Sequence, residues 1–275
     1  MLRCLYVDLD GTLVGAGGSL LHDGAGNVSM FGARALEAAH RAGVEIVPVS
    51  GRMRTTVREP ARAMGATAFA FEVGGGLVVD GDDYWQTGEL EPAAGESVHD
   101  QIAARGVIEL LLRQFHGRLE LHSPWHLYRE VSHIFRGDID AAEADQLLAA
   151  HGSGDLKMID NGFVGGLGDS SLDPEIAMPR SFHLTPRATS KAAAVARHRA
   201  IRGYERDETI AVGDSAEDVG MAAEVGAFWL VAGALEHDVA VAPAIAQHDN
   251  IRHAEGGAGE AVYEAVVTTL VTRAG

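Results

Sequence analysis

Asp8-Leu9-Asp10-Gly11-Thr12-Leu13 follows directly on Leu2–Val7, a short run rich in strand-forming residues. In extended backbone, residues two apart face the same side, so Asp8 and Asp10 address one centre. Open α/β sheets gather ligands at the carboxyl ends of their strands, which is where this acidic loop falls. Two converging carboxylates suit a hard cation such as Mg²⁺. An acidic pair alone also fits an ordinary solvated turn, so its meaning depends on the rest of the chain.

Outward from that loop, strand and helix signals alternate. Phe31–Ala42 has helical spacing and ends before Gly43, and Val44–Val49 reads as a strand. Met53–Met64 is a second helix, with Pro60 expected to kink or split it. Ala68–Phe71 is a third strand, and the glycine-rich stretch through Trp85 reads as a hairpin. The pattern returns late in the chain: Ser190–Ile201 helical, Thr209–Val212 strand, Ala216–Glu224 helix, Phe228–Val231 strand and Gly259–Thr272 helix. The middle differs, with one long amphipathic helix over Glu96–Phe115 and two antiparallel strands over Arg118–His122 and Leu127–Arg136. Asp140–Ala150 is a further helix, Leu156–Ile159 a strand and Asp160-Asn161-Gly162 a turn. The expected fold class is α/β: a Rossmann-like parallel-sheet core from residues 1–83 and 181–275, carrying an inserted α+β cap over 84–180.

Composition narrows the partners. The 275 residues carry 39 Asp and Glu against 22 Lys and Arg, a net charge of −17, with 47% hydrophobic and 22% charged residues. That balance supports a packed core and opposes nucleic acid or an anionic membrane as partner. A single cysteine, Cys4, forms no internal disulfide, which fits a reducing compartment. No apolar run reaches membrane-spanning length, and the first residues lack signal-peptide character. The expectation is a cytoplasmic protein, monomer or homodimer, acting on a small molecule.

Three further stretches join the first loop. Ser50-Gly51-Arg52, between a strand and a helix, combines a hydroxyl, a glycine, a guanidinium and a helix N-terminus, donors suited to an anion; an N-cap by Ser50 is the plain alternative. Lys191 is one of only two lysines, the other being Lys157, and opens the helix after Ser190. A cation is poorly placed at a positive helix end unless an anion lies close by. Gly213-Asp214-Ser215-Ala216-Glu217-Asp218 repeats the strand, acidic loop and helix order, with Asp214 and Asp218 able to complete a cation site and Glu217 expected toward solvent.

In this order the four stretches resemble the motifs of haloacid dehalogenase-like (HAD) phosphatases. The insertion between the second and third motifs is similar to the cap subclass that includes sucrose-phosphatase and mannosyl-3-phosphoglycerate phosphatase. The resemblance implies Asp8 as nucleophile, Asp10 as acid and base, and Mg²⁺ held by Asp8, Asp10, Asp214 and Asp218. It also implies a phosphate bound by Ser50, Gly51, Arg52 and Lys191, and a small phosphorylated metabolite as substrate. Two positions depart from the pattern: Glu217 stands where many relatives have asparagine, and Val73 replaces the asparagine of an ENGA-like hairpin. In the inserted region, Arg129, Arg136 and His183 are candidate substrate contacts, and a zinc site from His122, His126 and His133 is disfavoured for want of a tetrahedral set. A phosphosugar mutase or phosphotransferase of the same superfamily, and a non-catalytic phospho-ligand binder, remain as alternatives.

Overall fold

A computed structural model of the chain describes residues 1–164 and 170–274. The chain divides into two compact units, Met1–Tyr84 with Ser190–Gly275, and Trp85–Thr189. The strands of the first are β1 (Cys4–Val7), β2 (Glu45–Pro48), β3 (Ala68–Phe71), β4 (Gly76–Val79) and β5 (Asp82–Trp85). The second holds β6 (Leu119–Leu121), β7 (His133–Gly137), β8 (Leu156–Phe163) and β9 (Arg180–Pro186), after which β10 (Thr209–Gly213), β11 (Ala227–Leu230) and β12 (Ile251–His253) complete the first.

The first unit is built on a parallel sheet in the order β12-β11-β10-β1-β2. All four residues of β1 are buried, as a central strand covered on both faces requires. From β1 the chain runs one way to β2, while β10, β11 and β12 build outward on the other side. The order therefore reverses between β1 and β10, where the carboxyl ends of the strands open a crevice. Val7 pairs with Val212 there, and the Asp8 N–H donates to the Val212 carbonyl. The strand register thus brings the two acidic loops together at the switch point.

Helices α1 (Phe31–Arg41) and α2 (Arg54–Ala63) belong to the first unit, and α3 (Val98–Ala103), α4 (Val107–Gln114) and α5 (Ala141–Ala150) to the second. The first unit closes with α6 (Lys191–Arg202), α7 (Ala216–Val219), α8 (Ala234–His237), α9 (Val241–Ile245) and α10 (Ala258–Ala274). Cys4, Tyr6, Val47 and Ala211 pack in one cluster with Ala194 and Val195 of α6. The alternation along β1 turns Leu5 and Val7 to the opposite face. Pro60 sits inside α2. No helix among the described residues is long and apolar enough to cross a membrane.

The second unit is an antiparallel sheet in the order β6-β7-β9-β8. Val98, Ile102, Leu111, Phe115 and Leu148 of its helices cover Phe135, Phe182 and Leu184. Several expectations change here. The helix over Glu96–Phe115 is two helices, because Gly106 turns left-handed at φ +69 and restarts the chain as the N-cap of α4. The strand expected from Leu127 begins only at His133, and Asp160–Gly162 lies within β8, at a register irregularity. Strand β9 escaped the sequence reading because polar Ser181, His183 and Thr185 alternate with Phe182 and Leu184, and all five are buried. Since β9 pairs with both β7 and β8, the inserted unit runs to Thr189 instead of ending near 180. Its two ends meet where the Thr189 hydroxyl donates to the Gln86 carbonyl at 2.9 Å.

At the amino ends of β1 and β2, remote from the acidic loops, Glu45 accepts from Tyr204 at 2.8 Å and from Arg202 Nη2 at 2.9 Å, while Tyr6 and His198 share a hydrogen bond of 2.9 Å. Cys4, Glu45 and His198 place their ligand-type atoms within 4.8 Å of one another, but both Glu45 oxygens already serve α6 and Tyr204. The cluster is a buried hydrogen-bond network tying α6 to β2. Burial alone would raise Glu45, but the hydrogen bond and charge of His198, the Tyr204 hydroxyl and Arg202 together hold it below the usual carboxylate range. Its contribution to stability is thus present above the ordinary glutamate value and lost as pH falls through the lower folded value. Glu45→Gln is expected to reduce unfolding free energy by about 1–3 kcal/mol at pH 7. The urea midpoint of the variant should approach that of the parent as the pH drops below about 4.

Candidate active site

Lys191 is the first residue of α6, and its ammonium lies inside the protein with 2% of the side chain exposed. Nζ donates to Asp8 Oδ1 at 2.8 Å and to Asp218 Oδ1 at 2.6 Å. Ser190 caps the helix by accepting the Ala193 N–H at 3.0 Å. Burial would lower the lysine, but the charges of Asp218 and Asp8 outweigh it and hold the ammonium protonated. A buried cation of this kind persists only with such partners.

Asp8 is itself buried, and burial pushes its carboxyl well above the usual range. Lys191 pulls it down, while Asp218 and Asp214 push it up again. Asp214 rises to about 7 through burial and then Asp218, against the opposing pull of Lys191 and the Thr12 hydroxyl, which donates to Asp214 Oδ1 at 3.3 Å. Asp218 gives its other oxygen, Oδ2, to Asp214 N, Ser215 N and Ser215 Oγ, the last at 2.6 Å, forming the capping box that starts α7. Three carboxylates thus face a single ammonium.

Whether a cation fits can be judged from the same atoms. Asp8, Asp214 and Asp218 each offer a carboxylate oxygen, all within 4.8 Å of one another. A Cβ added at Gly11 would fall 2.3 Å from Asp214 Oδ2, so the loop leaves that carboxylate its place. Hard oxygen donors with excess negative charge match a divalent cation of the Mg²⁺ class.

Asp10 stands apart from this buried set. Its exposed side chain is held by a two-pronged ion pair with Arg52, from Nε to Oδ2 at 2.7 Å and from Nη2 to Oδ1. Ser50 is buried, and its hydroxyl accepts the Arg52 N–H at 3.2 Å. The turn after β3 is stapled to this loop, because Glu72 N donates to the Arg52 carbonyl and Val73 N to the Ser50 carbonyl. Glu72 and Val73 both adopt left-handed backbone, at φ +50 and +52. That conformation strains a β-branched residue and suits asparagine, so Val73 is costly there.

Glu217 corrects the sequence reading. Instead of pointing to solvent, its Oε1 accepts the backbone N–H of Lys191 at 3.0 Å. Side-chain direction on a four-residue helix is not readable from spacing, and the only clue was an acidic residue beside Asp218.

Arg129, Arg136 and His183 all lie in the second unit and are buried. Arg129 Nε donates to Ser132 Oγ at 3.0 Å and Nη1 to the Trp125 carbonyl, while Ser132 Oγ also meets His183 Nδ1 at 3.3 Å. Arg136 is paired with Glu120 at 2.6 Å. Although burial opposes it, hydrogen bonds from Ser171, Ser170 and Arg136 take Glu120 down to about 2. Burial, followed by Arg136 and Arg129, lowers His122 to about 4, so this imidazole is neutral at pH 7. His133 Nε2 lies 2.9 Å from the His99 carbonyl oxygen.

Lys191→Met would leave Asp8, Asp214 and Asp218 facing one another with no cation between them. Unfolding in urea, without added divalent ions, is expected to show a loss of about 3–5 kcal/mol. A variant as stable as the parent would mean that the carboxylates do not rely on the ammonium.

No protein-family model matches the sequence, and no curated protein is significantly similar to it. Solved structures, by contrast, superpose along nearly the whole chain. The sucrose-phosphatase of Synechocystis sp. PCC6803, in complex with sucrose and phosphate, aligns with a TM-score of 0.66 at 16% identity, covering 98% of each chain. Protein 0175 of Thermoplasma acidophilum gives 0.65 at 18% identity, over 98% of this chain and 99% of its own. A phosphatase of the haloalkanoate (HAD) superfamily from Bacteroides thetaiotaomicron gives 0.61 at 16% identity, over 98% and 96%. These superpositions show the fold, and this chain accordingly has the haloacid dehalogenase-like fold.

Proposed function

We propose that the chain is a Mg²⁺-dependent phosphatase that hydrolyses a small phosphate monoester, of the sugar-phosphate or phosphoglycerate type, through an aspartyl-phosphate on Asp8. The observation that carries this reading is the buried Lys191 ammonium bridging Asp8 and Asp218 at the sheet's switch point. The solved folds to which this one is similar include phosphatases, one of them solved with sucrose and phosphate. The substrate class follows from those neighbours and is the part most open to test.

In the proposed reaction an Asp8 oxygen attacks phosphorus in line, and the bond from phosphorus to the ester oxygen breaks. Asp10, which takes up a proton from solvent once it leaves Arg52, gives that proton to the departing alcohol. A water then attacks the acyl phosphate, Asp10 takes back a proton from it, and inorganic phosphate leaves with Asp8 restored. Splitting the displacement in two allows one carboxylic acid to serve both halves. Lys191 offsets the charge between nucleophile and phosphate, and Ser50, the Gly51 backbone and Arg52 donate to the phosphate oxygens. Asp8, the backbone carbonyl of Asp10 and Asp214 would hold a Mg²⁺, which would supply positive charge against the repulsion between carboxylate and phosphate. Asp218, with both oxygens engaged, serves by holding Lys191.

The Arg52–Asp10 pair adds a step of its own. A phosphate dianion competes with Asp10 for the guanidinium, whose planar fork fits phosphate as well as carboxylate. Binding thus releases Asp10 toward the ester oxygen. Arg129 and His183, linked through Ser132, are the proposed recognition residues for the rest of the substrate, whereas Arg136 is committed to Glu120.

The test is phosphate release from a panel of sugar phosphates and phosphoglycerate conjugates with Mg²⁺ present. Chelation should silence the activity and Mg²⁺ restore it. Asp8→Asn is expected to lower turnover by about three orders of magnitude or more while the circular dichroism spectrum stays native. Near-parental phosphate release by that variant would exclude Asp8 as nucleophile. Recovery of the phosphoryl group on a sugar, without free phosphate, would make the protein a phosphotransferase.

A further inference from the structure

Consecutive residues of α7 hold opposite ends of one lysine. Asp218 Oδ1 takes the Lys191 ammonium at 2.6 Å, while Glu217 Oε1 takes the Lys191 backbone N–H at 3.0 Å. Nothing in the proposed reaction uses Glu217. Its position is nonetheless favourable, because the first N–H groups of a helix lack partners within the helix. A carboxylate there satisfies one of them and meets the positive end of the helix dipole.

A second contact reaches the same point. The turn after β3 abuts the start of α6 so closely that a Cβ at Gly74, where φ is +86, would stand 2.2 Å from the Ser190 carbonyl oxygen. The strained turn at Glu72–Val73 leads into this glycine. Both positions at which the sequence departs from the family pattern, Val73 and Glu217, therefore converge on the helix start that carries Lys191. With the turn pressing on one side and Glu217 holding the other, the origin of the lysine side chain is fixed before its ammonium meets any partner.

We infer that Glu217 is a positioning residue: it fixes the backbone from which Lys191 reaches, so that the ammonium stays 2.8 Å from Asp8. The inference rests on the reading of Asp8 and Lys191 as phosphoryl-transfer residues, but its geometry is measurable without turnover. A displacement of about 1 Å in a charge-stabilising group is enough to cost on the order of 100-fold in rate. The acceptor matters here more than the charge, so an amide of the same length should serve nearly as well.

The test compares Glu217→Ala and Glu217→Gln in two readouts. Since the chain has only two lysines, Lys157 and Lys191, lysine labelled with ¹³C at Cε gives two side-chain resonances, and Lys157 acts as internal reference. In Glu217→Ala the Lys191 resonance should shift and broaden while that of Lys157 stays in place. In the same variant kcat should fall at least about tenfold, with KM changing less than about threefold. Glu217→Gln should restore both the resonance and kcat to within about threefold of the parent. An unchanged Lys191 resonance in Glu217→Ala would overturn the inference, as would a shifted resonance with unchanged kcat. Glu217→Gln failing as badly as Glu217→Ala would also overturn it, by assigning the effect to charge. If the parent releases no phosphate from any substrate yet the resonance responds as expected, the phosphatase reading falls while the hold on Lys191 stands.

Discussion

A cation inside a protein dictates its surroundings. The Lys191 ammonium is out of water, so it persists only because Asp8 and Asp218 meet it directly. Those partners come from the end of β1 and from α7, and the lysine comes from α6, so three distant stretches of chain are locked into one arrangement. The arrangement is not neutral, since Asp214 adds a third carboxylate against a single ammonium. Burial first, and then that surplus, raises the carboxyls of Asp8 and Asp214. A divalent cation would remove it, and a phosphate arriving without one would worsen it.

What could be read in advance was whatever depends on spacing along the chain. The alternation of apolar strands with helices, and the acidic loops directly after β1 and β10, come from local pattern. Lys191 betrayed itself by sitting at the wrong end of a helix for a cation. What could not be read depends on directions taken across the fold. Glu217 was placed toward solvent because adjacency to Asp218 says nothing about where a longer side chain aims, and the grip of Arg52 on Asp10 spans 42 positions. Strand β9 was passed over because its polar residues are buried, against the usual sorting of polar side chains to the surface. The break between α3 and α4 lay at a glycine within an otherwise continuous apolar stripe, where periodicity outweighed the one residue that mattered.

The second unit obeys the same electrostatic rule as the first, with a different outcome. Arg136 is buried against Glu120, and the two serines at 170 and 171 complete the carboxylate's shell, so that charge is spent on structure. Arg129 donates to the oxygens of Ser132 and Trp125. Burial lowers His122 first, and the charges of Arg136 and then Arg129 add to it, so both guanidiniums act on the same imidazole.

The hydrogen bond between Thr189 and Gln86 has a consequence for how such a molecule came to be assembled. It brings the second and last residues of the inserted unit together, so the two ends of the insert are joined as though by a tight turn. The entropy of closing a loop depends on the distance its ends must be brought together, and here that closure is carried by the insert's own sheet. To the parallel sheet, the whole of Trp85–Thr189 costs little more than a hairpin connection would. Because the closure lies within the insert, its length can change without changing the distance between its own two ends.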